Sequence, residues 1–154
     1  MLRNAIRARR AAAVVLAAAT IPFVGLASAS ASTTSHGCTV TPLQPYYHHT
    51  NAVGNKVIRY DVVVTCNTGR SISLERHVHE RDNWPNPDDH ISTSSDTRYF
   101  ASPATVTMSQ MLALPDTEIG KEEMYQQVRF RVGSGGVVSP WTAWEKSAAR
   151  DFQN

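Results

Sequence analysis

From residue 38 onward the chain is written in short runs of alternating apolar and polar residues, the period of a half-buried β-strand. The clearest run is 57–66. Ile58, Tyr60, Val62, Val64 and Cys66 fall on one face, and Val57, Arg59, Asp61, Val63 and Thr65 fall on the other. Residues 71–82 repeat the pattern, with Ile72, Leu74, Arg76 and Val78 opposite Ser73, Glu75, His77, His79 and Arg81. Between the two runs Asn67-Thr68-Gly69-Arg70 has the composition of a tight turn, so the pair reads as an antiparallel hairpin. A third long run spans 124–132, where Met124, Gln126, Val128, Phe130 and Val132 alternate with Tyr125, Gln127, Arg129 and Arg131. Gly133-Ser134-Gly135-Gly136 then reverses the chain into a last strand over 137–145, which Pro140 assigns to a sheet edge or bulge. Shorter strands are expected at 38–43 and 104–114. Residues 46–55 and 83–98 read as polar connections, the second ending in a short strand at Tyr99-Phe100. No repeat and no long amphipathic helix interrupts this series. The expectation is an all-β antiparallel sandwich of about six to eight strands.

Residues 1–29 follow a different rule. Arg3, Arg7, Arg9 and Arg10 precede an uncharged run that ends in Ala27-Ser28-Ala29 and again in Ala29-Ser30-Ala31. This is the pattern of a secretory signal peptide cleaved after Ala29 or Ala31. Its alanine- and arginine-rich composition resembles that of bacterial leaders. Its apolar core, about 16 residues, is too short to span a bilayer. The organisation expected is therefore leader, a flexible stretch over 30–37, and one domain over 38–150. The chain carries 15 Lys+Arg against 13 Asp+Glu, but four of the arginines lie in the leader, so the exported part is slightly acidic. That removes the case for nucleic-acid binding. After cleavage no membrane span is left, and the expected location is extracellular. In that oxidising setting the only two cysteines, Cys38 and Cys66, are expected to form a disulfide.

One stretch resembles the end of a fibronectin type III domain of the immunoglobulin-like class. It runs from Leu114-Pro115-Asp116-Thr117-Glu118 through Tyr125-x-x-Val128-Arg129-Phe130-Arg131-Val132 to Gly135 and Ser139-Pro140-Trp141-Thr142. Trp141-Thr142-Ala143-Trp144-Glu145 also resembles the Trp-Ser-x-Trp-Ser element of cytokine-receptor domains. In those domains arginines of the neighbouring strand stack between the tryptophans. The resemblance implies a sandwich, with Arg129 and Arg131 as cation–π partners of Trp141 and Trp144.

Candidate chemistry is sparse. His77 and His79 stand at i and i+2 on one strand face with Glu75 beside them, a spacing that can hold zinc or copper, to which His48-His49 could add a ligand. Asp82, Asp88 and Asp89 make an oxygen-rich loop of the kind calcium prefers. Trp84, Tyr46 and Tyr47 are aromatic candidates for stacking on a sugar ring or filling a partner's pocket. The chain has no Gly-x-Ser-x-Gly, no His-Glu-x-x-His and no phosphate-cradling glycine loop. The reading is a secreted, non-enzymatic binding module without a cofactor, its partner an extracellular glycan or protein. The alternatives are an inhibitor of an extracellular hydrolase, with 83–98 as its inserted loop, and a small metal-assisted enzyme using His77 and His79.

Overall fold

A computed structural model describes residues 31–82, 85–115 and 120–153. The expected leader and Trp84 lie outside the described residues, as do residues 116–119 of the turn before the third long strand. The described chain is all-β, antiparallel throughout, and closed by one disulfide between Cys38 and Cys66.

Eight strands of four or more residues make its body. They are β2 (Cys38–Pro42), β3 (Tyr46–Thr50), β4 (Lys56–Cys66), β5 (Arg70–Glu80), β6 (Asp89–Phe100), β7 (Ala104–Ala113), β8 (Lys121–Ser134) and β11 (Arg150–Gln153). Three shorter pieces complete it: β1 (Thr33–Ser35), β9 (Val137–Val138) and β10 (Glu145–Lys146). In the first sheet β4 is central, with β2 and β3 end to end on one edge, β7 on the other, and β1 outside β2. In the second sheet β8 is flanked by β5 on one side and by β9, β10 and β11 in succession on the other, with β6 outside β5. The alternating apolar residues of both sheets point inward and pack in two clusters, each drawing on both sheets. Val40, Val62, Val64 and both cysteines meet Ile72, Leu74, Val128, Phe130 and Val132, and Ile58, Tyr60, Val78, Met124 and Phe152 fill the other end.

Four expectations are corrected. The runs 57–66 and 71–82 are not a hairpin, because β4 and β5 lie in different sheets. The Asn67–Gly69 turn crosses between the layers, its amides held by Gly37 O on one side and Phe100 O on the other. Residues 46–50, read as a connection, form β3 along β4. The polar run 83–98 is mostly strand, since 89–100 pair with β5 along their whole length. A strand at a sheet edge gains its main-chain bonds without needing apolar alternation. Its inward Ser92 and Ser94 bond to Gln110 of β7, closing the gap between the sheets with a polar seam. Finally, residues 33–37 are not a loose start: β1 turns onto β2 through His36 (φ 49°) and Gly37 (φ 81°), the two left-handed positions of a tight hairpin turn.

The strand expected over 137–145 is broken as Pro140 requires, and hydroxyl groups mend the ladder. Ser139, Thr142 and Ser147 donate their backbone N–H to the carbonyls of Val132, Phe130 and Gln126. Their hydroxyls accept the N–H of the same three residues at 2.9, 3.1 and 3.1 Å. Each thus satisfies both main-chain groups of one β8 residue without regular strand geometry. Thr142→Val keeps the shape and removes one acceptor, leaving the Phe130 N–H unpaired. A loss of about 1–2 kcal/mol in denaturant unfolding is expected, with faster hydrogen exchange at Phe130.

Candidate functional site

The outward residues of β5, β6 and β8 form one long face, ordered by the strand register. At one end Tyr99, Ser71, Gly133 and Val138 stand in a row across β6, β5, β8 and β9. The small Ser71 and Gly133 make a floor. Tyr99 and the β9 valines rise beside it, giving an open trough of about 300 Å³. Tyr99 is 66% exposed and Val138 58%, so large apolar surface is left in water there. The neighbouring row is Thr97, Ser73 and Arg131.

In the middle of the face the cations and rings alternate. Arg131 lies 4.8 Å from the Trp141 ring centre, and Arg129 lies 5.0 Å from Trp141 and 4.7 Å from Trp144. The stacking expected of these four residues is therefore present. Glu75 anchors it from the opposite strand, its Oε2 within 2.7 Å of an Arg129 nitrogen. The hydrogen bond from Arg129 holds the Glu75 carboxyl below the usual carboxylate range.

At the far end three imidazoles meet. His77 continues the stack, its ring centre 4.3 Å from that of Trp144. His90 lies 5.0 Å from His77 and 5.1 Å from His79, and His79 stacks on Tyr125 at 5.1 Å with an interplanar angle of 9°. One ring nitrogen from each histidine lies within 4.8 Å of one from each of the others. The β5–β6 register brings His90 there. It shifts by one residue between Val78 and His79, so that Val78 faces Ser92 while His79 faces His90. Ile91 is the extra residue of this bulge. Both Ile91 and Ser92 are half-buried, and His90 is turned to the outside with His79. Burial, with His90 and His77 alongside, pushes the His79 imidazole below its ordinary pKa.

The expected metal residues are thus rearranged. His77 and His79 do converge with a third side chain, but it is His90. Glu75 supports His77 through a 3.2 Å contact to Nε2 instead of joining the set. His48 and His49 sit on β3 in the other sheet, bonded to each other. The aspartates are not gathered. Asp88 accepts a 2.6 Å hydrogen bond from the Tyr125 hydroxyl, which lowers its pKa, and pairs with Lys146 at 3.7 Å, while Asp89 begins β6 opposite Glu80. Among the aromatic candidates, Tyr46 is bound to Asp61 at 3.2 Å, and Tyr47 is half exposed on β3 with its hydroxyl on Thr50. Neither shares a face with the histidines. His90 was missed because it lies in 83–98, the run read as loop, and Tyr99, read as the start of the short strand after it, was given no role. An aromatic residue beside Phe100 at the end of that run was the available signal.

No helix among the described residues is long and apolar enough to cross a membrane. Comparison with known proteins gives no match to any family model, curated protein or solved structure.

Proposed function

We propose that the protein is an exported binding module that takes an extracellular glycan on the outer face of its second sheet, in the trough beside Tyr99. The observation that carries this reading is the exposed Tyr99 ring standing over a floor of Ser71 and Gly133. A sugar presents a C–H face and a rim of hydroxyls. The ring accepts the first, and Ser71, Ser73 and Thr97 are placed for the second. Export is supported by the leader pattern at 1–29 and by the disulfide in a small domain. The likeness to fibronectin type III and immunoglobulin-like domains is part of the same proposal, supported by the Trp–Arg stack and the hydroxyl-mended last strand.

Co-sedimentation with insoluble peptidoglycan, chitin and cellulose tests it. Binding to at least one polymer is expected, weakened about tenfold by Tyr99→Ala, the size of one lost stacking contact. A Trp84→Ala variant run beside it separates the trough from the 83–88 segment. Retention that follows Trp84 and ignores Tyr99 moves the site, and no retention on any polymer removes the glycan reading.

A further inference from the structure

The histidine end of the same face carries a second capacity, which stands whether or not the trough takes a sugar. We propose that His77, His79 and His90 bind one divalent transition-metal ion, zinc(II) or copper(II), through one ring nitrogen each, with the remaining coordination position open to solvent.

The geometry is close to what such an ion needs. Three nitrogens on a tetrahedral zinc at about 2.0–2.1 Å lie about 3.4 Å apart. Nitrogens already within 4.8 Å of one another reach that spacing with shifts of under about 1 Å each, the scale of a small rotation about χ1 or χ2. The rings are carried by paired strands, not by a loop. His77 and His79 come from consecutive outward positions of β5, and His90 from the register shift on β6. A bulge that turns one polar residue onto a particular face is a feature that a strand needing only to pair has no use for.

The hydrogen bonds around the rings occupy one nitrogen of each and leave the other for a ligand role. Nε2 of His77 faces the Glu75 carboxylate at 3.2 Å, Nε2 of His90 faces the Thr93 hydroxyl at 3.0 Å, and Nε2 of His79 faces the Gln127 terminal amide at 2.9 Å. A carboxylate only accepts, so His77 carries its proton on Nε2 and leaves Nδ1 as a lone pair. A half-turn of the Gln127 amide presents its oxygen to His79 with the same result. The Nδ1 of His79 is buried and has no hydrogen-bond partner among the described residues. A buried ring nitrogen with nothing to bond is costly, and a metal ion relieves that cost. The carboxylate–histidine–metal arrangement is the usual one for orienting an imidazole ligand and raising its basicity. The donor set is all nitrogen, which favours copper and zinc over calcium or magnesium.

The test is calorimetric titration of the purified, chelator-stripped protein, made without a histidine tag, with ZnCl2, CuCl2 and CaCl2. One equivalent of zinc or copper is expected to bind, and no calcium. His90→Gln lies on an exposed edge strand and leaves the core intact, and it should weaken binding at least tenfold. Glu75→Gln should weaken it about 10–100-fold, as loss of a ligand's supporting partner does. The double variant His48→Gln/His49→Gln should bind as the parent does. Copper should also quench Trp144 fluorescence, because the His77 ring is 4.3 Å away, and Trp144→Phe should remove that part of the quench. Binding that is lost with His48 and His49 but survives His90→Gln overturns the proposal. So does the absence of any zinc or copper heat.

Discussion

Replacing both cysteines by alanine is expected to lower the unfolding free energy by about 3–4 kcal/mol, the chain-entropy value for a loop of this size. The loop is closed over a sequence separation of 28 residues. For a domain of this length the loss corresponds to roughly 10–15 °C in Tm. The position of the bond makes the effect local as well as global. Cys38 and Cys66 are direct partners in the β2–β4 register, and both side chains are buried in the first core cluster. Among the described residues the main-chain pairing of β2 to the rest of its sheet runs through β4, and that of β1 runs through β2. Without the cross-link the β1–β2 hairpin should fray first, and the amides of β2 should lose hydrogen-exchange protection before those of β5 and β8. Urea unfolding of the double alanine variant and of the reduced parent should agree to within about 1 kcal/mol, the reduced parent keeping the two buried thiols. A double variant as stable as the oxidised parent would show that the unfolded chain is already compact enough for the link to constrain nothing.

How much of this was legible depended on whether a residue's role was set by its own strand or by another. The period-2 runs named the inward residues of β4, β5 and β8 correctly. They even put Arg76 on the same face as Ile72, Leu74 and Val78, where the structure finds it fully buried and donating to Met108 O at 2.9 Å. The sheet partners were not legible. Two strands alternate in the same way whether they lie side by side in one sheet or face each other across a core, so β4 and β5 read as a hairpin. β6 was missed because its inward positions, Ser92 and Ser94, meet Gln110 instead of hydrocarbon. His77 and His79 could be placed together because i and i+2 share a face on any strand. His90 could not, since a register without the bulge would oppose Ile91 to His79 and turn His90 to the other side. The Trp–Arg stack was visible only through a family resemblance, because pairing across β8 and its broken neighbour has no signature in the spacing alone.

Gln126→Leu is expected to cost about 2–3 kcal/mol although it adds an apolar residue to the core. Gln126 is fully buried, and its amide nitrogen donates to both Leu43 O and Asp61 O at 2.8 Å. A side chain of β8 in the second sheet thereby ties down the segment leading from β2 to β3 and the middle of β4 in the first. Leucine fills similar volume and leaves the Leu43 carbonyl without this donor, while Asp61 O keeps the 2.9 Å bond from the Leu43 amide. Gln126→Glu sharpens the argument because it makes the loss depend on pH. Between two carbonyl oxygens the carboxyl is held protonated, so its pKa in the folded state rises above the unfolded value of about 4.3. Above that unfolded value the unfolded chain binds fewer protons than the folded one, so stability falls as pH rises. The slope is about 1.4 kcal/mol per pH unit up to the folded pKa. Below pH 4 the glutamic acid still has one O–H to offer where the amide had two N–H, so it should remain less stable than the parent but approach it. Unfolding of both variants in urea between pH 4 and 7 checks this. The leucine variant should run parallel to the parent across the range, and the glutamate variant should diverge from it with rising pH. A glutamate variant that also ran parallel would mean that water reaches the site and that the amide does not bridge the two sheets as a dry contact.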